Sequence, residues 1–261
     1  MPLTAKIPAI ALLALCAGPA LAADFSDTAL GYRLGRHYAE PFNPSHIGKN
    51  IVSLTHVRGG AYGSDYVNLD VLKSDRVDSH ATEAYLLYRH TANLGKALGQ
   101  GLGLTAGVDL NWKNDPGYGS KKRMLVLGPT LMLDAGGLLN VSLFALWESN
   151  RPVGVAERYH YRTHPMLNAV WALPVAGSGW SFEGYMNYIA AKGLDEFGVK
   201  TSPELNIDTQ LMYDVSSSLG MKAGRVKAGF EYQYWRNKFG NPHRIPGSTA
   251  KTPMLRAEYH F

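Results

Sequence analysis

Lys251–Phe261, KTPMLRAEYHF, closes the chain and decides how the rest is read. Leu255, Ala257, Tyr259 and Phe261 occupy every second position, and Arg256, Glu258 and His260 lie between them. Successive side chains of a strand point to opposite faces, so this segment has one apolar, aromatic-ended face and one charged face. A strand of that kind ending on an aromatic residue suits the last strand of a transmembrane β-barrel, with aromatics at the lipid boundary and a wet lumen.

The other end agrees. Met1–Ala22 carries one early cation, Lys6, then an apolar run from Ile7 to Ala17 and the small-residue site Ala20-Leu21-Ala22. This is the pattern of a cleaved signal peptide. The expected division is a signal peptide over 1–22 and one outer-membrane β-barrel domain over 23–261. The single cysteine, Cys16, falls in the leader, and Leu15 before it does not fit a lipoprotein site. Residues 23–261 therefore have no disulfide and no thiolate metal site. The formal charge is +5, and loss of Lys6 leaves +4. The longest basic run is Lys121-Lys122-Arg123, with no nucleic-acid motif beside it, so no nucleic-acid polymer is expected as a partner.

No apolar run after Ala22 approaches the roughly 18 residues of a membrane helix. Several segments instead alternate over the roughly 10 residues that a membrane strand needs. Leu102, Leu104, Ala106, Val108, Leu110 and Trp112 oppose Gly103, Thr105, Gly107, Asp109 and Asn111. Leu139 to Trp147, Leu205 to Tyr213 and Val226 to Tyr234 repeat the pattern. A helix would scatter these positions round its cylinder. Weaker strands are expected near Thr28–His37, Asn50–Val57, Asp65–Leu72, Glu83–Thr91, Arg123–Leu133, His160–Leu173 and Trp180–Ala190. With the last strand the total is about twelve, an even number as bacterial barrels use. Long connections are expected at Ala39–Lys49, Lys113–Lys122, Asn150–Tyr159, Ala191–Pro203 and Lys238–Thr252. Short turns are expected at Arg58–Gly60, Asp134–Gly137 and Pro174–Gly179, and a longer inner turn at Asn93–Gln100. The fold class is all-β, a closed antiparallel transmembrane barrel with both termini on the periplasmic side.

The stretches KNIVSLTHVRGGAYGSDYVNLDVLKSD (Lys49–Asp75), LTAGVDLNWKND (Leu104–Asp115), NVSLFALWESN (Asn140–Asn150), SFEGYMNYIAAKGLDEFG (Ser181–Gly198) and EYQYWRNKFG (Glu231–Gly240), with the tail, resemble the Tsx-like nucleoside-specific channel-forming proteins and their OmpK-like outer-membrane relatives. The resemblance implies a twelve-stranded monomeric barrel whose narrow lumen passes nucleosides passively. Its expected partners are outer-membrane lipid, the barrel assembly machinery, small solutes and, as for some family members, phage. It implies no cofactor.

Parity along each strand names the expected pore lining. The candidates are Asp70, Asp109, Arg162, His164, Glu183, Tyr185, Asn187, Asp208, Glu231, Trp235 and Arg256, with mixed charge and a few aromatics. Such a lining favours neutral polar solutes and offers rings on which a base can stack. His160 and His164 share a strand face, but no third ligand for a metal is identifiable. A barrel lipid hydrolase would need a Ser, a His and an orienting group, and no G-x-S-x-G occurs, so an enzyme is not expected. A non-conducting surface receptor is the remaining alternative.

Overall fold

The computed structural model describes residues 24–97 and 99–261. The expected leader, Met1–Ala22, lies outside them. Twelve long strands form one closed antiparallel barrel: β1 Phe25–Glu40, β2 Asn43–Gly60, β3 Gly63–Ser74, β4 Thr82–Ala97, β5 Gln100–Lys113, β6 Arg123–Met132, β7 Leu138–Asn150, β9 His164–Val175, β10 Trp180–Ile189, β11 Glu204–Asp214, β12 Val226–Arg236 and β13 Thr249–His260. A two-residue strand, β8 (Tyr159–His160), pairs with the end of β7. Each long strand pairs with its neighbours in chain order. β13 closes on β1 in a register from Ala29↔His260 to Gly35↔Met254. Closure leaves no open edge, which the hydrocarbon layer demands of any spanning sheet.

Period two sorts the side chains. Leu30, Tyr32, Val52, Leu54, Leu104, Leu110, Leu125, Leu143, Leu211, Phe230 and Leu255 all stand exposed on the outside. In water such a surface would aggregate. Wrapped round a closed barrel with a polar interior, it is the outer face of a multi-pass protein of the bacterial outer membrane. By the same rule, the end carrying the termini is the inner, periplasmic end. The opposite end carries the connections 75–81, 114–122, 151–163, 190–203 and 237–248 and is the outer end.

Close packing of the wall fixes individual residues. A Cβ on Gly128 would stand 1.9 Å from the Leu143 backbone carbonyl oxygen, so only glycine fits there. The β6–β7 ladder runs from Arg123↔Ser149 to Leu127↔Ala145 and resumes at Thr130↔Ser142. Pro129, which has no N–H to donate, lies in the gap. Inside, Thr91, Thr105, Thr130 and Ser142 join β4, β5, β6 and β7 in a hydroxyl chain with links of 2.7, 2.6 and 2.7 Å.

The strand bounds depart from the sequence reading in three places. Ala39–Lys49 is not a long loop, because β1 and β2 meet in a tight turn at Pro41–Phe42. Register shifts between Gly35 and Tyr38 and between Tyr38 and Glu40 break the parity there, and Phe42 adopts φ 69°. The Asn93–Gln100 turn is likewise shorter, since β4 continues to Ala97 past a shift at Gly95. The single strand expected over His160–Leu173 is split, because the chain leaves the sheet at 161–163 before β9 begins.

Candidate functional site: the lumen and its outer mouth

The interior is a column of polar groups in three levels. At the inner end, Glu183 pairs with Lys227 at 3.0 Å and takes a bond from Gln210. His260 Nδ1 meets Asp27 at 2.7 Å. Tyr66 faces this region and is 41 % exposed. An inward side chain with that much free surface borders open space in the lumen.

At mid-height two arginine centres face each other. Arg33 on β1 reaches Asp70 on β3 at 2.5 Å and Glu231 on β12 at 3.3 Å. Arg256 on β13 adds a 2.7 Å contact to Glu231 and a 2.5 Å contact to Glu258. Across the lumen, Arg89 pairs with Asp109, which also accepts from Tyr85 Oη at 2.7 Å. Gln233 donates to Asp208, and Asn206 donates to the Tyr185 hydroxyl. Tyr185 on β10 and Tyr85 on β4 stand on nearly opposite walls of the ring of strands. Arg33, Arg89, Arg256 and Glu231 each have an oppositely charged partner, which is the condition for holding a charge away from bulk water, whereas buried Asp208 has the Gln233 amide.

The outer level is denser and is built on lysines. Lys49 contacts Glu40 at 2.7 Å, and Lys113 contacts Asp78 at 3.0 Å. Lys122 and Lys192 both grip Glu148, at 3.0 and 2.9 Å, and Lys192 also reaches Glu204 at 3.3 Å. Lys238 donates to the Ala39 carbonyl at 2.8 Å and to Glu40 at 3.3 Å. In the loops, burial pushes the Lys238 ammonium below its usual value, against the pull of Glu40. Burial also opposes the charge on Lys192, but Glu148 and Glu204 hold its pKa above the usual value.

Loop 190–203 folds over this level. The Glu196 carboxylate accepts from the Tyr118 hydroxyl at 2.5 Å, from Asn150 Nδ2 at 3.0 Å and from the Tyr161 hydroxyl. Burial opposes its ionisation, but the two phenols hold it below the ordinary glutamate range.

Most of the candidate lining residues point inward: Asp70, Asp109, His164, Glu183, Tyr185, Asn187, Asp208, Glu231, Trp235 and Arg256 stand on the interior face. Asn187 accepts from Asn168 at 2.7 Å, and Trp235 Nε1 donates to Glu204 at 3.3 Å. His164 is buried at the start of β9, its Nδ1 on the Arg162 carbonyl. Arg162 is the exception. It is exposed in the 161–163 break, where its backbone N–H bonds to the Lys192 carbonyl and no strand face directs its side chain inward. His160 is exposed as well.

The sequence reading missed Arg33, Lys49, Tyr66, Tyr85, Arg89, Lys192 and Phe239. For Arg33 a signal exists, since it alternates with Leu30, Tyr32 and Leu34. β4 carries none, because TEAYLLYRHT mixes apolar and polar residues on both parities.

No family model matches the chain, and no curated protein matches it. Solved outer-membrane barrels do. The NanC porin aligns with a TM-score of 0.55 at 10% identity, over 88% of this chain and 98% of its own. The KdgM porin aligns at 0.47 and 10% identity over 89% and 99%. The COG4313 outer membrane channel from Pseudomonas putida F1 aligns at 0.48 and 10% identity over 90% and 95%. At this identity the likeness to NanC is one of fold.

Proposed function

We propose that this barrel is a passive outer-membrane channel for small polar solutes, and that nucleosides are among them. The observation that carries the reading is the interior itself. A barrel needing only stability would do as well with an apolar core, since replacing buried ion pairs by packed apolar groups is often neutral or stabilising. Here charged and hydrogen-bonding groups run from Glu183 and Lys227 at one end to Lys192 and Glu148 at the other, with Tyr66 bordering open space. Pore linings select by such donors, acceptors and charges. The nucleoside assignment comes from the resemblance of the Lys49–Asp75, Ser181–Gly198 and Glu231–Gly240 stretches to the Tsx-like and OmpK-like proteins. Inward Tyr66, Tyr85, Tyr185 and Trp235 support it, because bases stack on aromatic faces.

Liposome swelling tests this directly. Nucleosides should enter faster than sugars and amino acids of similar size, and flux should follow the gradient. Equal rates would reduce the protein to an unselective pore. The dense outer level favours one other reading, a closed barrel that serves as a surface receptor. Absence of any swelling would support that instead.

A further inference from the structure

The connection after β12 turns into the barrel mouth rather than away from it. Asn237 and Phe239 both adopt left-handed backbone, with φ 53° and 61°, which a β-carbon disfavours and which persists only where surroundings impose it. Half-buried Phe239 is held from several directions. Its backbone N–H donates to Glu204 at 3.0 Å, and its ring meets the Trp235 ring edge-on with centroids 4.9 Å apart. Lys238 lies 5.1 Å from the ring centre, and Lys122 lies 4.3 Å from it. Lys122 immediately precedes β6, which stands nearly opposite β12 in the ring of strands. The Phe239 ring and the Lys122 ammonium therefore meet within the mouth and link nearly opposite walls.

We propose that Phe239 is a resident stopper, and that the slot it fills is the outer recognition site for flat aromatic solutes. The inference rests on the channel reading. An entering ring that displaced Phe239 would inherit its surroundings: the Trp235 ring, two ammonium groups able to lie over a π-system or donate to ring acceptors, and the Glu204 carboxylate beside Trp235 Nε1, able to accept from an exocyclic amine. A sugar has the hydrogen-bonding groups but no π-system for the lysines to lie over, so it displaces Phe239 poorly. The site selects by competition with the protein's own side chain.

The test is single-channel recording on the refolded full barrel, with folding of every variant checked by its heat-dependent gel shift. Phe239→Gly removes the stopper and suits the left-handed backbone. It should raise ion conductance several-fold and lower the adenosine concentration needed for half-block, because the competitor is gone. Phe239→Trp should keep conductance low and raise that concentration. Glucose should block none of the three proteins. Equal conductance of the wild type and Phe239→Gly overturns the stopper, and an unchanged half-block concentration overturns the slot. If Phe239→Gly opens the pore and adenosine blocks neither protein, the aromatic slot and the nucleoside assignment fall together while a channel remains. If neither protein conducts, the stopper and the channel reading both fall.

Discussion

Arg33 and Glu231 meet inside the barrel at 3.3 Å although β13 lies between their strands, and the Glu231 side chain is fully buried. Arg256, on that intervening strand, binds the other Glu231 oxygen at 2.7 Å. One carboxylate thus holds two guanidinium groups across three adjacent strands, next to the seam where β13 closes on β1.

Removing that carboxylate leaves both arginines undercompensated. Breaking a buried pair from one side typically costs about 3–5 kcal/mol. Glu231→Leu should lose stability on that scale in reversible urea unfolding from lipid vesicles. Asp70 still pairs with Arg33 and Glu258 with Arg256, so Glu231→Gln, which keeps a hydrogen-bond acceptor, should lose less. Equal losses for the two variants would mean that the charge, which both remove, and not the hydrogen-bond acceptor is what Glu231 contributes.

The outer face should obey depth. Leu54 pairs with Leu69 and Leu30 midway along its strands and is exposed. Leu54→Arg should destabilise the folded barrel by roughly 2–4 kcal/mol, the cost of a cation at the bilayer midplane, whereas Tyr259→Arg near the inner boundary should cost about 0–1 kcal/mol. The same unfolding titration reads both. Similar costs would place the two residues at one depth and contradict the orientation.

Closure of the outer loops should weaken in acid. Glu196 is held below the ordinary glutamate range by Tyr118 and Tyr161, so its folded pKa lies under its unfolded one. A depressed carboxylate contributes fully above the unfolded value, near about 4.3 for glutamate, and the contribution disappears as pH falls through the folded value. Protease cleavage of loop 190–203 on intact vesicles should therefore rise with an acid-stable protease as pH falls below about 4. Glu196→Gln should show the higher cleavage already at neutral pH and lose the pH dependence. An unchanged pH profile in that variant would assign the acid response to another group.

The terminal aromatic should matter for assembly more than for transport. Phe261 is exposed, packs edge-on against Tyr259 at 5.1 Å and donates its backbone N–H to Thr28 at 2.9 Å, at the seam itself. Phe261→Asp places charge at the boundary, where the cost of charge in lipid is low. Folded, heat-shifting protein in the outer membrane should nonetheless decline markedly, while conductance of the molecules that do fold stays at the wild-type value. Normal yield would leave the tail without a part in biogenesis.

If nucleosides block the pore, two inward aromatics should be felt and an outward one should not. Tyr185→Ala and Trp235→Ala should each weaken block by about 1–3 kcal/mol, the loss of one stacking contact. Tyr232→Ala, exposed on the outside, should leave it unchanged. Current block against nucleoside concentration measures all three.

How far the candidate site could be read depended on each strand's pattern. β11 runs Glu204–Asp214, the same bounds that its alternation implies, and its Asp208 faces inward. Arg162 was misplaced because the run His160–Leu173 reads as one strand, while the Tyr161–Glu196 contact and the bond from Arg162 N–H to the Lys192 carbonyl pull 161–163 out of the sheet. Those contacts come from a loop some thirty residues further on, and no local pattern contains them.

The sequence by itself determined the barrel. Period-two apolar faces such as Leu102–Trp112, and a final strand that alternates to Tyr259, behind a signal-peptide pattern, suit lipid on one side and a polar lumen on the other, and a sheet in lipid has to close. The tertiary structure alone decided what the inward groups do. Whether Arg33 meets Glu231 and whether Phe239 lies under Lys122 depends on the circumference of the closed sheet and the stagger of its strands. Parity tells a side chain which face to take, and only closure brings the opposite wall within its reach.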